Sequence, residues 1–192
     1  MDDPVDAELV LGVDGSFNGD TTAIVAVTVP KSQDDKAHVF LVGAWEKQPN
    51  DSDDWRVDTV EVEDTIRMFC QKFRGVKEVA FDPFRWQRSM QVLMDDGLPV
   101  VEWPSTSARR MIPATQKVYD AVTEGKLTHD GSALLARHID NCVLKVDNLG
   151  GRIVKESRNS NRRIDAAVAF VIAYDRATSK LNNDILPEFF VF

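Results

Sequence analysis

Apolar residues along this chain fall into short runs that are separated by turns rich in Gly, Asn, Asp and Pro. Runs of this length, bounded by such turns, are typical of strands. The first three runs lack helical spacing, and the dipeptide Asn18-Gly19 marks a tight turn between the first two. We therefore predict an antiparallel meander of three strands at residues 9–14, 22–29 and 37–46.

Helical spacing follows the meander. Between residues 55 and 73, apolar residues recur three or four positions apart, as one buried face of a helix requires. Strand-like and helix-like runs then alternate, which is typical of an α/β domain. The remaining predicted elements are strands at 77–82 and 98–103, helices at 85–95, 107–125 (with a start or break at Pro113) and 132–141, a β-hairpin at 142–157 and a last helix at 162–180.

This order of elements predicts an α/β fold with a mixed sheet, helices on both faces and an extra C-terminal β-hairpin. The length of 192 residues suits one domain, and 43% apolar with 28% charged residues is ordinary for a globular protein with a real core. We expect residues 1–192 to form a single domain, with 1–8 and 181–192 as peripheral tails.

Neither a membrane nor secretion is indicated. The longest charge-free apolar run, Ala166 to Tyr174, has nine residues and is too short to span a bilayer. The acidic start, MDDPVDAE, has no apolar signal core. Cys70 and Cys142 lie far apart and form no CxxC pair, which is typical of core thiols in a reducing compartment. We expect no membrane partner.

Charge is unevenly distributed along the chain. The formal net charge is −8. Residues 1–82 hold 8 Lys and Arg against 18 Asp and Glu, a net of −10, whereas residues 83–192 hold 15 against 13, a net of +2. A basic stretch lies between residues 145 and 163. Such a stretch can hold phosphates on an otherwise acidic protein, although a solvated loop fits the same charges equally well.

Three carboxylates are candidates for one site. Asp14 and Asp82 each follow a buried strand, and ligand sites of open α/β sheets lie at the carboxyl ends of strands. Asp165 lies in the first turn of the last helix, and its neighbours three, four, seven and eight positions later are apolar, so it points toward the sheet. Taken singly, each acid could be a turn or capping residue, and Asp165 could pair with Arg162 or Arg163.

Three carboxylates that meet at one rim would repel each other unless protons or cations neutralise them. Mg²⁺ and Mn²⁺ take oxygen ligands, and two such ions about 3.5–4 Å apart can activate a water and stabilise the leaving oxygen of a phosphodiester. This chemistry needs no Ser or His nucleophile, and the chain has only three His. A metal site is therefore the alternative to structural ion pairs.

Four stretches carry a family resemblance. GVDGSFNGDTTAIVAV has an acid at the end of a strand, then a Gly-rich turn and a second strand, and VAFDPF has a second strand-end acid. GKLTHDGSALLARHIDN holds His129, a short helix and Asn141, and GGRIVKESRNSNRRIDAAVAFVIAYDRA holds the hairpin, a basic approach and the third acid. This ordered set resembles the ribonuclease H-like superfamily, and more closely the C-terminal nuclease domain of large terminase subunits from tailed bacteriophages.

The resemblance implies a metal-dependent endonuclease that cuts double-stranded viral DNA during genome packaging. Asp14, Asp82 and Asp165 would be its catalytic residues and would bind two Mg²⁺ or Mn²⁺ ions. The implied partners are the terminase ATPase domain, the portal and the small terminase subunit, in the cytoplasm of the infected bacterial host. The candidate DNA-binding residues are Lys155, Arg158, Arg162, Arg163 and Arg85.

One departure from that family is clear, and three alternatives stay open. The chain has no GxxxxGK[ST] phosphate loop, so we expect an isolated nuclease domain or a fragment without the ATPase. Another ribonuclease H-like nuclease, such as a Holliday-junction resolvase, would prefer branched DNA. An actin-like or sugar-kinase-type ATP-binding module would need a duplicated domain and a second Gly-rich turn. A non-catalytic docking module would not need the three acids.

Overall fold

The computed structural model describes residues 7–15, 21–157 and 160–183. Its strands are β1 (Leu9–Gly15), β2 (Thr22–Thr28), β3 (Ala37–Trp45), β4 (Val76–Phe81), β5 (Val100–Glu102), β6 (Leu127–His129), β7 (Cys142–Asp147) and β8 (Gly150–Lys155). Its helices are α1 (Thr59–Lys72), α2 (Gln87–Asp95), α3 (Ala108–Thr123), α4 (Ala133–Asp140) and α5 (Asp165–Asn183). None of the helices in these ranges has the length and apolar content that a membrane crossing requires.

Six strands form one sheet in the order β5-β4-β1-β2-β3-β6. The antiparallel pairing of β1 with β2 and of β2 with β3 confirms the predicted meander. β4 pairs parallel with β1, β5 with β4, and β6 with β3. β7 and β8 form a separate antiparallel hairpin. The predicted fold class is therefore confirmed, and β1 lies between an antiparallel and a parallel neighbour.

Three elements differ from the predictions. Helix α1 begins at Thr59 and not near residue 55, because the Asp58 carboxylate accepts the amides of Val60 (2.9 Å) and Glu61 (3.4 Å) and caps the helix there. Helix α3 continues through Pro113 without a break. Strand β6 was missed, because its three residues are too few to show a period and it forms only by pairing with β3.

Side chains alternate along the strands, so apolar residues point to both faces of the sheet. Helices cover each of these faces. Leu11 and Val13 of β1 pack with residues of α1 and α2, whereas Val10 packs with α5 and parts of α3 and α4. The hairpin lies against α3, where the amide of Ile153 donates to the hydroxyl of Thr115 (3.4 Å). The core therefore consists of two apolar layers with the sheet between them.

Helix α5 crosses β1 at Gly12. A Cβ at this position would lie 2.0 Å from the carbonyl oxygen of Ala169 and 2.8 Å from the amide nitrogen of Ala173, so only glycine permits the contact. Arg176 makes a bidentate bond to Glu78 near the start of β4 (2.6 and 2.7 Å), which shows that α5 runs antiparallel to β1 and β4. The N-terminus of α5 therefore lies where both strands end.

We expect Gly12→Ala to lower the free energy of unfolding by about 3 kcal/mol, the upper end of the usual cost of overpacking. The added methyl group would meet backbone atoms of α5, which cannot move aside as a side chain can. Urea denaturation followed by circular dichroism measures the change.

Gly97→Ala is the matched control for this substitution. A Cβ at Gly97 meets no atom within 4 Å, and its φ of +82° leaves only the cost of a left-handed backbone. That cost is about 1–2 kcal/mol. If Gly12→Ala costs no more than Gly97→Ala, close packing at Gly12 does not determine the stability.

Candidate functional site

Asp14 and Asp82 lie at the carboxyl ends of two neighbouring parallel strands. Val13 of β1 is the register partner of Phe81 of β4, and the amide of Asp82 donates to the carbonyl of Val13 (3.1 Å). Val13 and Phe81 pack on the face covered by α1 and α2. Since side chains alternate along a strand, Asp14 and Asp82 point toward the other face, where α5 lies.

Asp165, the first residue of α5, comes to the same end of the sheet. It precedes Ala169 by one helical turn, and the carbonyl of Ala169 lies against Gly12. Asp14 follows Gly12 by two residues. Because α5 runs antiparallel to β1, the step back from Ala169 to Asp165 and the step forward from Gly12 to Asp14 lead toward the same end of the sheet. One helical turn rises about 5.4 Å and two strand residues about 6.6 Å, so Asp165 and Asp14 reach a similar level. We call the segment ends that carry Asp14, Asp82 and Asp165 the carboxylate rim.

The carboxylate of Asp82 is held by protein donors. Its Oδ1 accepts the amide of Phe84 (2.8 Å), and its Oδ2 accepts both the amide (2.8 Å) and the hydroxyl of Ser105. The residue is only 5% exposed. These bonds compensate for the burial of a charge and fix the direction of the side chain.

The donor set of the carboxylate rim fits Mg²⁺ or Mn²⁺, because these ions prefer oxygen ligands and keep several waters of their own. In the described part of the chain, no three Asp, Glu, His or Cys side chains converge closely enough to hold an ion. A carboxylate oxygen has two lone pairs, so Oδ1 of Asp82 can accept the amide of Phe84 and still bind a metal. Asp82 can therefore become a ligand without releasing Ser105.

A buried histidine holds the N-terminus of α5. The ring of His138 is fully buried, its Nδ1 accepts the amide of Ala166 (3.0 Å), and its Nε2 lies 2.9 Å from Oε1 of Glu46. Since the amide must donate, the ring proton is on Nε2 and is donated to Glu46. Arg137 donates to the second oxygen of Glu46 (2.6 Å). This network fixes the residue that follows Asp165.

Burial determines the charge state of this network. It lowers the pKa of His138 below its usual range, although the hydrogen bond and charge of Glu46 oppose it. Burial alone would raise the pKa of Glu46, but bonds from His138 and Arg137 outweigh it and hold that pKa below its usual range. A neutral imidazole therefore faces an ionised carboxylate. Burial, with a smaller effect of the Asp165 charge, also raises the pKa of the Cys142 thiol to about 12.

Arg163, a candidate DNA-binding residue, is engaged within the protein. Its guanidinium donates to the hydroxyl of Thr21 (3.3 Å) and to the carbonyl of Lys47 (3.4 Å). Its own carbonyl accepts the side-chain amide of Asn141 (3.0 Å). Arg163 and Asn141 therefore connect the segment before α5 to the residues that flank β2, β3 and α4.

The remaining candidate DNA-binding residues occupy different surroundings. Arg162 is exposed beside Arg163, and Lys155 is half-buried at the end of β8. Arg85 is exposed in the loop that follows Asp82. Arg158 lies outside the described residues.

The sequence pointed to His129, whereas the structure places His138 nearer to the carboxylate rim. His129 is exposed on β6, three strands from β1, which is about 14 Å at the usual strand spacing. His138, Glu46 and Ser105 were missed. His138 follows the buried Leu135 by three positions on α4, and this helical spacing was the one available signal. Nothing local marks Ser105, because its contact depends on β5 lying beside β4.

Residues 35–180 match the family model of the terminase large subunit, endonuclease domain. The chain is 27% identical over 177 residues to the gene 13 protein of Mycobacterium phage L5, an alignment that covers 86% of this chain and 28% of that protein. It therefore spans less than a third of the length of this relative.

Solved structures share the fold. The large terminase of bacteriophage HK97 has a TM-score of 0.72 at 22% identity, covering 88% of this chain and 39% of that one. The large terminase nuclease of thermophilic phage G20c with bound magnesium has a TM-score of 0.63 at 11% identity, with coverage of 89% and 82%. The large terminase nuclease domain of bacteriophage SPP1 with bound Mn has a TM-score of 0.52 at 16% identity, with coverage of 92% and 91%.

We expect His138→Gln to remove part of the acid sensitivity of folding. The folded-state pKa of His138 lies below the ordinary value of about 6.5, so the unfolded chain binds this proton more readily. The free energy of unfolding of the wild type therefore falls as the pH drops below about 6.5. Gln does not titrate, so the variant should change less between about pH 6.5 and 5.

Urea titrations across this pH range test the expectation. Near neutral pH the variant should be less stable by about 1–3 kcal/mol, because the buried bonds to Ala166 and Glu46 are lost or weakened. His129→Gln is the control, since His129 is exposed. The same pH slope in wild type and His138→Gln would show that another group is responsible.

Proposed function

This chain belongs to the family of terminase large subunit endonuclease domains, and on that premise we propose that it is a metal-dependent endonuclease that cuts double-stranded viral DNA during genome packaging. The observation that carries the proposal is that Asp14, Asp82 and Asp165 come to one end of the sheet and one face of it. The magnesium-bound and manganese-bound nuclease structures of similar fold support the use of divalent ions.

In this proposal Asp14, Asp82 and Asp165 hold two Mg²⁺ or Mn²⁺ ions. Such ions, when bound, lower the pKa of an attacking water and neutralise charge on the leaving oxygen. The chain keeps the ligands in place through neighbouring groups. Ser105 orients the carboxylate of Asp82, and His138 fixes the first turn of α5.

Basic side chains on two sides of the carboxylate rim would hold the DNA backbone. A hollow of about 330 Å³ between β8 and the loop after β5 is lined in part by Arg152 and Lys155. A second hollow, of about 410 Å³, is lined in part by Arg162 and Arg163. Contacts to phosphates position a duplex without reading its bases. The proposed DNA-binding residues are Lys155, Arg158, Arg162, Arg163 and Arg85.

We also propose partner proteins and a cellular location for this chain. The chain covers 28% of the phage L5 relative and 39% of the HK97 large terminase. We infer that it works with a terminase ATPase domain. Portal and small terminase subunit would be its further partners, in the cytoplasm of the infected bacterial host.

We expect Asp14→Asn, Asp82→Asn and Asp165→Asn each to lower plasmid cleavage with Mg²⁺ or Mn²⁺ by at least about 100-fold, because an amide lacks the negative charge that these ions need from their ligands. Nicking and linearisation of supercoiled plasmid are measured on gels. Circular dichroism of each variant shows whether the fold persists.

Asp140→Asn is the matched control, since Asp140 is exposed at the end of α4. It should cut as the wild type does. Full activity in any one of the three rim variants would remove that residue from the proposed site. Cleavage that continues in EDTA would contradict the metal requirement itself.

We expect Ser105→Ala to weaken the apparent affinity for Mg²⁺ or Mn²⁺ about 10-fold, because Oδ2 of Asp82 would then be held by a backbone amide alone. Calorimetric titration with Mn²⁺ measures this without DNA, and cleavage at saturating metal should largely recover. Thr106→Ala, at the exposed neighbouring position, is the control. Unchanged metal affinity in Ser105→Ala would exclude the orienting role of the hydroxyl.

A further inference from the structure

The loop that follows β4 is anchored at both ends beside the carboxylate rim. At its start, Oδ1 of Asp82 accepts the amide of Phe84 (2.8 Å). At its end, Trp86 is fully buried, and its indole nitrogen donates to the carbonyl of Gly15 at the end of β1 (3.2 Å). The loop is therefore fixed to the ends of the two strands that carry Asp14 and Asp82.

Between these anchors the loop presents an aromatic ring and a cation to solvent. Phe84 is 61% exposed, and the guanidinium of Arg85 lies over its ring, 5.2 Å from the ring centroid. Within the described ranges, Arg85 is the one residue other than glycine with a positive φ, +70°. This backbone is unfavourable for a residue with a Cβ, and most of the ring remains exposed. Core packing therefore explains neither feature.

Strained backbone that persists beside a site is typical of residues that contact a ligand. Phe84 is two residues from Asp82, so their Cα atoms lie within about 7 Å of each other. Neighbouring base pairs of DNA are about 3.4 Å apart. A phosphate held at the carboxylate rim would therefore bring the next one or two base steps within reach of the Phe84 ring.

We propose that Phe84, with Arg85 stacked on it, enters the minor groove next to the phosphate that is cut and partly unstacks a base step there. This inference rests on the proposed function. Apolar side chains inserted between base steps unstack them and bend the duplex, and the negative potential of the minor groove attracts a guanidinium. Pyrimidine–purine steps unstack most easily, so cleavage favours steps such as TA without a hydrogen bond to any base edge.

The experiment compares wild type with Phe84→Ala and Phe84→Trp. Tyr119→Ala is the matched control, because Tyr119 is an equally exposed aromatic residue (63%) on α3. One readout maps the cleavage positions on a linear duplex with Mg²⁺. The other records the fluorescence of 2-aminopurine placed at a TA step, with Ca²⁺ in place of Mg²⁺, and therefore reports unstacking independently of cleavage.

Phe84→Ala should keep the wild-type thermal midpoint, cut about 10-fold more slowly, lose the preference for TA steps and give no rise in 2-aminopurine fluorescence. Phe84→Trp should retain the step preference and the fluorescence rise, and Tyr119→Ala should behave as wild type. Arg85→Gly should unfold at a higher temperature, because glycine accepts the positive φ, and yet bind DNA more weakly.

A Phe84→Ala variant with the step preference and fluorescence rise of the wild type would overturn the proposal. The absence of a fluorescence rise with the wild type would overturn it as well. A wild-type protein that unstacks the TA step but cuts no DNA would contradict the proposed nuclease function while supporting insertion of Phe84.

Discussion

The contact between α5 and β1 at Gly12 is the constraint on which the rest of the structure depends. It sets the depth at which the helix lies on the sheet, since backbone atoms of Ala169 and Ala173 occupy the space of a missing side chain. Because α5 is rigid along its length, the same contact also sets the position of Asp165, in the first turn, along the direction of β1. The same packing that forms the core thus places an acid beside the ends of β1 and β4.

Buried polar groups then hold the carboxylate of Asp82 and the backbone that follows Asp165. Asp82 accepts hydrogen bonds from the amide of Phe84 and from Ser105. A charge that is almost fully buried is therefore compensated within the protein. Asp165 lies where the helix dipole favours negative charge, and the amide that follows it is bound by His138. The direction of the Asp82 carboxylate and the backbone position of Asp165 therefore depend on neighbouring side chains.

The surroundings of the carboxylate rim carry basic side chains although the protein as a whole is acidic. The net charge of −8 arises from the first 82 residues, while the basic residues of β8 and of the segment before α5 lie beside the acids. Such local charge can hold phosphates even when the total charge is negative. The strained Arg85 and the exposed Phe84 lie in the loop that follows Asp82, at the same end of the sheet.

Local patterns in the sequence determined the three-stranded meander, most of the helices and the strand-end positions of Asp14 and Asp82, because periodicity and turn chemistry act over a few residues. The tertiary structure alone decided that β6 is a strand, that Ser105 meets Asp82, and that His138 binds Ala166 and Glu46. These contacts join residues more than 20 positions apart. They exist because particular strands and helices became neighbours, and long-range packing, which no short window of sequence records, selects those neighbours.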